Sequence, residues 1–332
     1  MNKKKKILFR YLLPLIVTAS IFYLLYKNFD VNLFKKLLNK ISLPDYIIGL
    51  FFYIIICFIR GIRFKAAGSK ASILELFGIA SINIIFNRIL PFRTGDIVYA
   101  YILKKIGRGY FSEGLVHLVL MRLSDIVSVV TIFFIGFGLT IFIQEKAIEL
   151  NIGMKLGFIL LGLLALFMFI YVTKILKFIL NLFENIAFRI NFLKRFKERF
   201  FKLKKIMESS AILSRKRKLI LFLACSFVWL SYYSLFYFIL ILLNIDFSFI
   251  LTLVGSSFAI IASFIPLSII GSFGLLEGGW SLGFSLCGME QKVAIATGII
   301  MSGLTLSYSM ISFFIGAIVL LISKKLKNEN LI

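Results

Sequence analysis

Long apolar runs, interrupted by short polar or basic stretches, dominate the chain. Several of these runs reach the roughly 20 residues that a helix needs to cross about 30 Å of hydrocarbon. The pattern predicts an all-α polytopic membrane protein with about six full spans, in a single membrane domain over 1–332. The predicted spans lie at about 7–27, 44–66, 115–143, 156–180, 219–243 and 293–322.

Two further apolar stretches are each broken at a comparable point by proline, then glycine, then an acid. The first break contains Pro91, Gly95 and Asp96, and the second contains Pro266, Gly271, Gly274 and Glu277. Irregular backbone at membrane depth is tolerated only where it is enclosed by protein or lines a watery cavity. The two breaks therefore predict a polar site between two halves of the protein.

Basic residues indicate which ends of the spans face the cytoplasm, because cytoplasmic loops carry an excess of Lys and Arg. Lys3 to Lys6, the linker at 185–218 with its basic run from Arg189 to Lys218, and the final KKLK all indicate that side. We therefore expect a protein of the plasma membrane with both termini in the cytoplasm.

With these assignments, the stretches 72–112 and 247–290 must each begin and end on one side of the membrane. Each contains one break, so each is predicted to form a re-entrant or broken-helix hairpin, and the two enter from opposite sides. Such a pair is typical of an inverted repeat, whose interface near the midplane commonly binds substrate.

Residues 30–41 place apolar side chains on one helical face and lysines on the other, as in a helix that lies in the membrane interface. The topology puts this segment outside, which fits poorly with its basic charge.

Composition narrows the class of function. A mean hydropathy of +0.99 and 60% apolar residues exclude an ordinary soluble domain. The net charge of +24 is concentrated at span ends and in the 185–218 linker, so it favours anionic lipid surfaces rather than nucleic acid. The three cysteines are scattered singly and the chain has one histidine. No metal site, cofactor site or nucleophilic triad is predicted.

Ionisable residues inside apolar segments are costly and are therefore candidates for function. At the first break, Arg93 either pairs with Asp96 or binds a phosphate through its planar guanidinium group. The alternative is that Arg88 and Arg93 are ordinary arginines at the cytoplasmic end of a membrane segment. Asn83 and Asn87 share a helical face there.

Two other positions allow both a functional and a structural interpretation. Arg122 and Asp125 are three residues apart within one predicted span, and a buried pair of this kind can be part of a site or only of the packing. At the second break, a helix that begins near Gly274 would offer free amides to an anionic headgroup. Glu277 in its first turn is either a site residue or a helix-start acid.

These residues resemble the motifs of the membrane domain of the lysylphosphatidylglycerol synthases, a flippase-like family, along nearly the whole chain. The resemblance rests on Arg60-Gly-Ile-Arg63-Phe64, on Asn87 to Asp96, on Arg122 with Asp125, and on Gly271, Gly274 and Glu277. The chain departs from the family at Met121, Tyr99 and Thr305, where charged residues are common, and at Ile270 and Ser272, where the family has Pro and Gly.

The resemblance implies a protein that handles membrane lipids. It implies substrate contacts by Arg63, Arg93, Asp96, Arg122, Asp125 and Glu277. The leading hypothesis is translocation of a charged-headgroup lipid, either an aminoacyl-phospholipid or a polyprenyl-linked lipid. The alternatives are a membrane transferase with Asp96 or Glu277 as general base, or a scaffold that docks an aminoacyl- or glycosyltransferase through the basic linker. Because the last span ends close to Ile332, no aminoacyltransferase domain is expected in this chain.

Overall fold

The computed structural model describes residues 20–21, 23, 25–90, 95–143, 215–264 and 274–329. Every regular element in these ranges is a helix, which confirms the predicted all-α polytopic fold. In chain order the helices are α1 (Val31–Leu38), α2 (Leu43–Ala66), α3 (Ile73–Ile89), α4 (Asp96–Lys105), α5 (Phe111–Ile143), α6 (Arg215–Leu242), α7 (Phe249–Phe264), α8 (Leu275–Leu286) and α9 (Gln291–Glu329).

Four of these helices, α2, α5, α6 and α9, are long and apolar enough to cross a membrane. They correspond to the spans predicted at 44–66, 115–143, 219–243 and 293–322. Their outer faces carry exposed side chains such as Phe51, Phe227 and Phe314, as expected where lipid replaces water. The span predicted at 156–180, most of the one at 7–27 and the linker before Arg215 lie outside the described residues.

The first predicted hairpin consists of α3 and α4, which pack against each other. A capping box begins α3, because the Ser72 hydroxyl accepts the Glu75 N–H at 3.3 Å while the Glu75 carboxylate accepts the Ser72 N–H at 2.7 Å. Arg108, just after α4, pairs with the same Glu75 at 3.0 Å. The chain therefore enters and leaves this hairpin at one end of the helix bundle.

The second predicted hairpin consists of α7 and α8, which also pack closely against each other. Phe247, just before α7, contacts Phe284 near the end of α8, with ring centroids 5.3 Å apart. This hairpin too begins and ends at one end of the bundle. Its helices of 16 and 12 residues are each shorter than the roughly 20 residues of a full span.

The hairpins enter from opposite ends of the bundle, because α2 and α6 are antiparallel neighbours. The ammonium of Lys40, before α2, donates to the Leu243 carbonyl after α6 at 2.7 Å. Further along both helices, Arg60 donates to the Tyr232 hydroxyl at 3.3 Å. The first hairpin follows the end of α2 and the second follows the end of α6, so their entry points lie at opposite ends. This is the arrangement expected of an inverted repeat.

The amphipathic segment predicted at 30–41 contains α1. Asp30 caps this helix by accepting two backbone N–H groups, those of Asn32 and Leu33, each at 3.0 Å. Leu37 is buried against the core while Val31 and Leu38 are exposed. Its position in a membrane interface stays a prediction.

Candidate functional site

A polar cavity of about 110 Å³ lies among the long helices and the hairpin tips, by which we mean the described residues beside each break. Asn87 and Arg88 line it from the first hairpin, and Ser263 and Leu276 line it from the second. Its charged lining side chains are Arg60, Arg63, Arg88, Arg122 and Asp125. We call it the arginine cavity. Residues of both hairpins thus line one cavity.

Two asparagines of α3 hold the first break in place. The Asn83 amide donates to the Gly95 carbonyl at 3.0 Å, and the Asn87 amide donates to the Asp96 carboxylate at 2.7 Å. A Cβ at Gly95 would lie 2.3 Å from the Asn87 nitrogen and 2.4 Å from the Phe86 carbonyl carbon. Only glycine permits this approach of α4 to the end of α3. The helical face shared by Asn83 and Asn87 therefore positions the start of α4.

Asp96 forms an ion pair with Arg122 of α5. Arg122 Nε donates to an Asp96 oxygen at 2.8 Å, and one of its terminal nitrogens donates to the same oxygen. Arg93, the partner considered for Asp96 from the sequence, lies outside the described residues, as does Pro91.

Asp125 pairs with Arg63 of α2 rather than with Arg122, its neighbour along α5. One terminal nitrogen of Arg63 donates to both Asp125 oxygens, at 2.7 and 2.8 Å, and the Trp229 indole donates to one of them at 3.0 Å. The side chains of Arg63 and Asp125 are only 5% and 3% exposed. The pair that the sequence placed within one helix is thus replaced by two pairs between helices, because each side chain faces a different neighbour.

Arg60 and Arg88 have no carboxylate within ion-pair distance among the described residues. Arg60 donates to the Tyr232 hydroxyl at 3.3 Å and to the Asn83 carbonyl oxygen at 3.4 Å, which are long hydrogen bonds. Its Nε is buried without a partner in the described structure. Arg88 donates to the hydroxyls of Ser302, at 3.3 Å, and Thr305.

The charges around the arginine cavity therefore do not balance. Four arginines face two carboxylates, Asp125 in the wall and Asp96 behind Arg122, which leaves an excess of two positive charges among the described residues. The Arg88 contacts on α9 are 11 and 14 residues from the first residue of that span, about 17 to 21 Å along the helix. The excess positive charge thus lies well inside the bundle, where a multiply charged anion would neutralise it.

The second break places Gly274 and Glu277 at the start of α8. Gly274 has φ of +83°, which L side chains rarely adopt. Its N–H donates to the Glu277 carboxylate at 2.7 Å, so Glu277 acts as the helix-start acid that the sequence allowed. Glu277 is 6% exposed and is not part of the arginine cavity, although its neighbour Leu276 is. Pro266 and Gly271 lie outside the described residues.

The cavity contains two arginines that were not among the substrate contacts predicted from the sequence. Arg60 precedes Arg63 by three residues, and this spacing put both on one face of α2. Arg88 follows Asn87 directly, and its sequence context was equally compatible with an ordinary arginine at the cytoplasmic end of a membrane segment. The substrate contacts predicted from the sequence stay predictions.

No group of three or more His, Cys, Asp or Glu side chains within the described ranges is arranged to hold a metal ion. The lining of the arginine cavity itself carries four arginines and one carboxylate, so its net charge is positive.

Comparison with known families agrees with this architecture. The family model described as the lysylphosphatidylglycerol synthase TM region matches residues 11–312, which include every residue that lines the arginine cavity. No curated protein and no solved structure matches the chain. The family implies a membrane function related to lipids. The chain belongs to the family of the lysylphosphatidylglycerol synthase TM region.

Proposed function

We propose that this protein translocates a lipid across the membrane by binding the phosphate of its headgroup in the arginine cavity. The observation that carries the proposal is the presence of Arg60 and Arg88 inside the bundle without a carboxylate partner among the described residues. An arginine at the centre of a membrane helix costs about 2.5–3.5 kcal/mol on insertion scales, and a bound anion would offset this cost for both arginines.

Phosphate suits this cavity better than other anions of biological membranes. The guanidinium group binds phosphate oxygens through two parallel N–H donors, and its charge persists at any physiological pH. A phosphate monoester or a diphosphate would neutralise the two excess positive charges among the described residues, and a phosphodiester would neutralise one of them. Phosphate is common to aminoacyl-phospholipids and polyprenyl-linked lipids, the two substrate classes expected from the sequence.

The hairpin arrangement supports movement of the headgroup rather than simple binding. The first hairpin enters from the end where α2 finishes, the second enters from the other end, and both tips reach the cavity. In inverted repeats, small movements of one half against the other open a central site alternately to the two sides. The lipid tails can remain in the bilayer, so only the polar headgroup requires a path through protein.

A transferase and a scaffold remain the alternatives, and the geometry favours them less. A general base must be free to accept a proton, but Asp96 is paired with Arg122 and one oxygen of Glu277 accepts the Gly274 N–H. A nearby guanidinium favours the ionised, weakly basic form of a carboxylate. The scaffold hypothesis depends on the 185–218 linker and stays a prediction.

The proposal includes a location. We place the protein in the plasma membrane with both termini in the cytoplasm, where the Lys and Arg excess of the 185–218 linker would also lie. Its partners would be membrane lipids, and an aminoacyl- or glycosyltransferase that produces them would act beside it.

Translocation can be tested with purified protein in vesicles that contain a phosphate-headgroup lipid with a fluorescent chain. A reductant that cannot cross the membrane bleaches only the outer leaflet, so translocation appears as loss of the protected half of the signal. We expect the wild type and Lys70→Gln, which neutralises an exposed lysine, to translocate at the same rate. The double variant Arg60→Gln, Arg88→Gln should lose translocation. Equal rates in all three proteins would refute the proposal, and chemical turnover of the lipid in detergent would instead indicate a transferase.

A further inference from the structure

A second cavity lies beside the arginine cavity, and the proposed headgroup site does not use it. Its volume is about 350 Å³, within the range of ligand pockets. Most of its wall is apolar, and Glu277 and Ser302 are polar side chains within it. The remaining lining residues are Leu25, Tyr26, Phe29, Gly274, Ile299 and Gly303. We call it the apolar cavity.

The apolar cavity lies at hydrocarbon depth. Ile299 and Gly303 are 8 and 12 residues from the start of the α9 span at Gln291, about 12 to 18 Å along the helix. A lipid bilayer has a hydrocarbon core about 30 Å thick, so this wall faces the level of acyl chains rather than of headgroups.

One arginine joins the two cavities. Arg88 lines the arginine cavity and donates to the hydroxyl of Ser302, which lines the apolar cavity, at 3.3 Å. It also donates to Thr305, one turn further along α9, in the wall of the arginine cavity. A ligand with its phosphate at Arg88 therefore has the apolar cavity directly beyond Ser302.

We propose that the apolar cavity binds an acyl chain of the lipid whose phosphate lies in the arginine cavity. This inference rests on the proposed function for the headgroup and adds a site for the tail. The apolar wall suits an aliphatic chain, and one Glu277 oxygen is already bonded to the Gly274 N–H. An apolar chain gains little from leaving lipid for such a cavity except packing contacts, so the headgroup supplies most of the affinity and the cavity selects the chain.

The structure offers a well-matched pair of variants for the test. A Cβ added to Gly303 would meet no atom within 4 Å, so a phenylalanine there can occupy the apolar cavity without displacing backbone. A Cβ added to Gly138 of α5 would also meet nothing within 4 Å, and Gly138 does not line this cavity. Gly303→Phe is therefore the filling variant and Gly138→Phe is its control.

The experiment uses the full chain in vesicles with a phosphatidic acid that carries a diazirine in one acyl chain. After irradiation, mass spectrometry locates the labelled peptides. We expect labels on Glu277, whose carboxyl group traps activated diazirines well, and on the α9 segment that contains Ile299. Gly303→Phe should abolish both labels and Gly138→Phe should leave them unchanged. Because the chain is held through the phosphate, Arg60→Gln with Arg88→Gln should also abolish them.

Three results would overturn the inference. The first is labelling that persists in Gly303→Phe, and the second is labelling that persists in the Arg60→Gln, Arg88→Gln variant. The third is a Glu277→Gln variant that no longer binds a lysine-headgroup lipid but still binds phosphatidic acid. The last result would show that the cavity holds a headgroup amine. A separate measurement of glycerol 3-phosphate binding distinguishes the two proposals. If the wild type binds it and no chain label appears, only the acyl-chain site fails. If it does not bind, the proposed headgroup site fails as well.

Discussion

Arg60 and Arg63 are three residues apart on α2, yet their surroundings give them different roles. Arg63 is buried against Asp125, which neutralises its charge and also accepts the Trp229 indole N–H. The Nε atoms of both arginines are buried without a partner among the described residues, but Arg60 has only long hydrogen bonds to neutral groups. Arg63 therefore stabilises the fold, whereas Arg60 is available to a ligand.

This difference predicts unequal losses of stability when the two arginines are replaced. Arg63→Met leaves the Asp125 carboxylate buried without its cation, which typically costs about 3–5 kcal/mol. Adding Asp125→Leu should recover most of that loss, because two apolar side chains replace the pair. Arg60→Gln should cost little, since it removes an unpaired charge from the interior. Thermal unfolding of the purified variants in detergent measures all three. An Arg63→Met protein as stable as wild type would contradict this assignment.

The pairing of these residues shows which contacts could be predicted from the sequence and which could not. The spacing of Arg122 and Asp125 suggested a pair along one helix, and that spacing does bring side chains near each other. The tertiary packing decides otherwise, because Asp125 faces Arg63 of α2 and Arg122 faces Asp96 of α4. Sequence periodicity contains no information on which neighbouring helix a side chain meets. For the same reason it could not identify Arg60 and Arg88 as cavity arginines that lack a carboxylate partner among the described residues.

At the scale of the elements, the first break depends on close backbone contact at Gly95. The two asparagines of α3 can bond the Gly95 carbonyl and Asp96 only because α4 starts against the last turn of α3. Asp96 in turn orients Arg122 toward the cavity wall. The first break thus positions the side chains of the site in addition to reversing the direction of the chain.

We expect Gly95→Ala to destabilise the protein by about 1–3 kcal/mol, the usual cost of forcing extra atoms into a packed site. It should also weaken phosphate binding, because α4 and Asp96 must shift. Gly138→Ala is the control, since its Cβ meets open space and alanine is the better helix former. Thermal unfolding and glycerol 3-phosphate binding of both variants test this expectation, and identical behaviour of the two would contradict it.

The all-α membrane fold was the part that the sequence predicted best. Counting basic residues at span ends required 72–112 and 247–290 to return to their starting sides, and the Glu75–Arg108 pair and the Phe247–Phe284 contact are compatible with that requirement. The breaks themselves were visible as glycine and acid in apolar surroundings. Glu277 was harder to assign, because a helix-start acid and a binding residue have the same sequence pattern.

At the scale of the whole molecule, opposite entry of the two hairpins makes a topological prediction. Asn39 precedes α2, Lys70 follows it, and both are exposed. A cysteine introduced as Asn39→Cys and one introduced as Lys70→Cys should therefore react with membrane-impermeant reagents from opposite sides, with Lys70→Cys on the cytoplasmic side. The native Cys57, Cys225 and Cys287 are buried, so the wild type should remain unlabelled. Labelling of both new cysteines from one side would be incompatible with the proposed architecture.

The central claim is that the excess positive charge of the arginine cavity binds a lipid phosphate, and ligand-induced stabilisation of the purified protein tests it most directly. A ligand that binds only the folded state stabilises it by about 2.7 kcal/mol at one hundred times its dissociation constant. We predict that glycerol 3-phosphate raises the melting temperature of the wild type and of Lys70→Gln in a saturable manner, and that it has no effect on Arg60→Gln, Arg88→Gln. Equal stabilisation of the double variant would contradict the account.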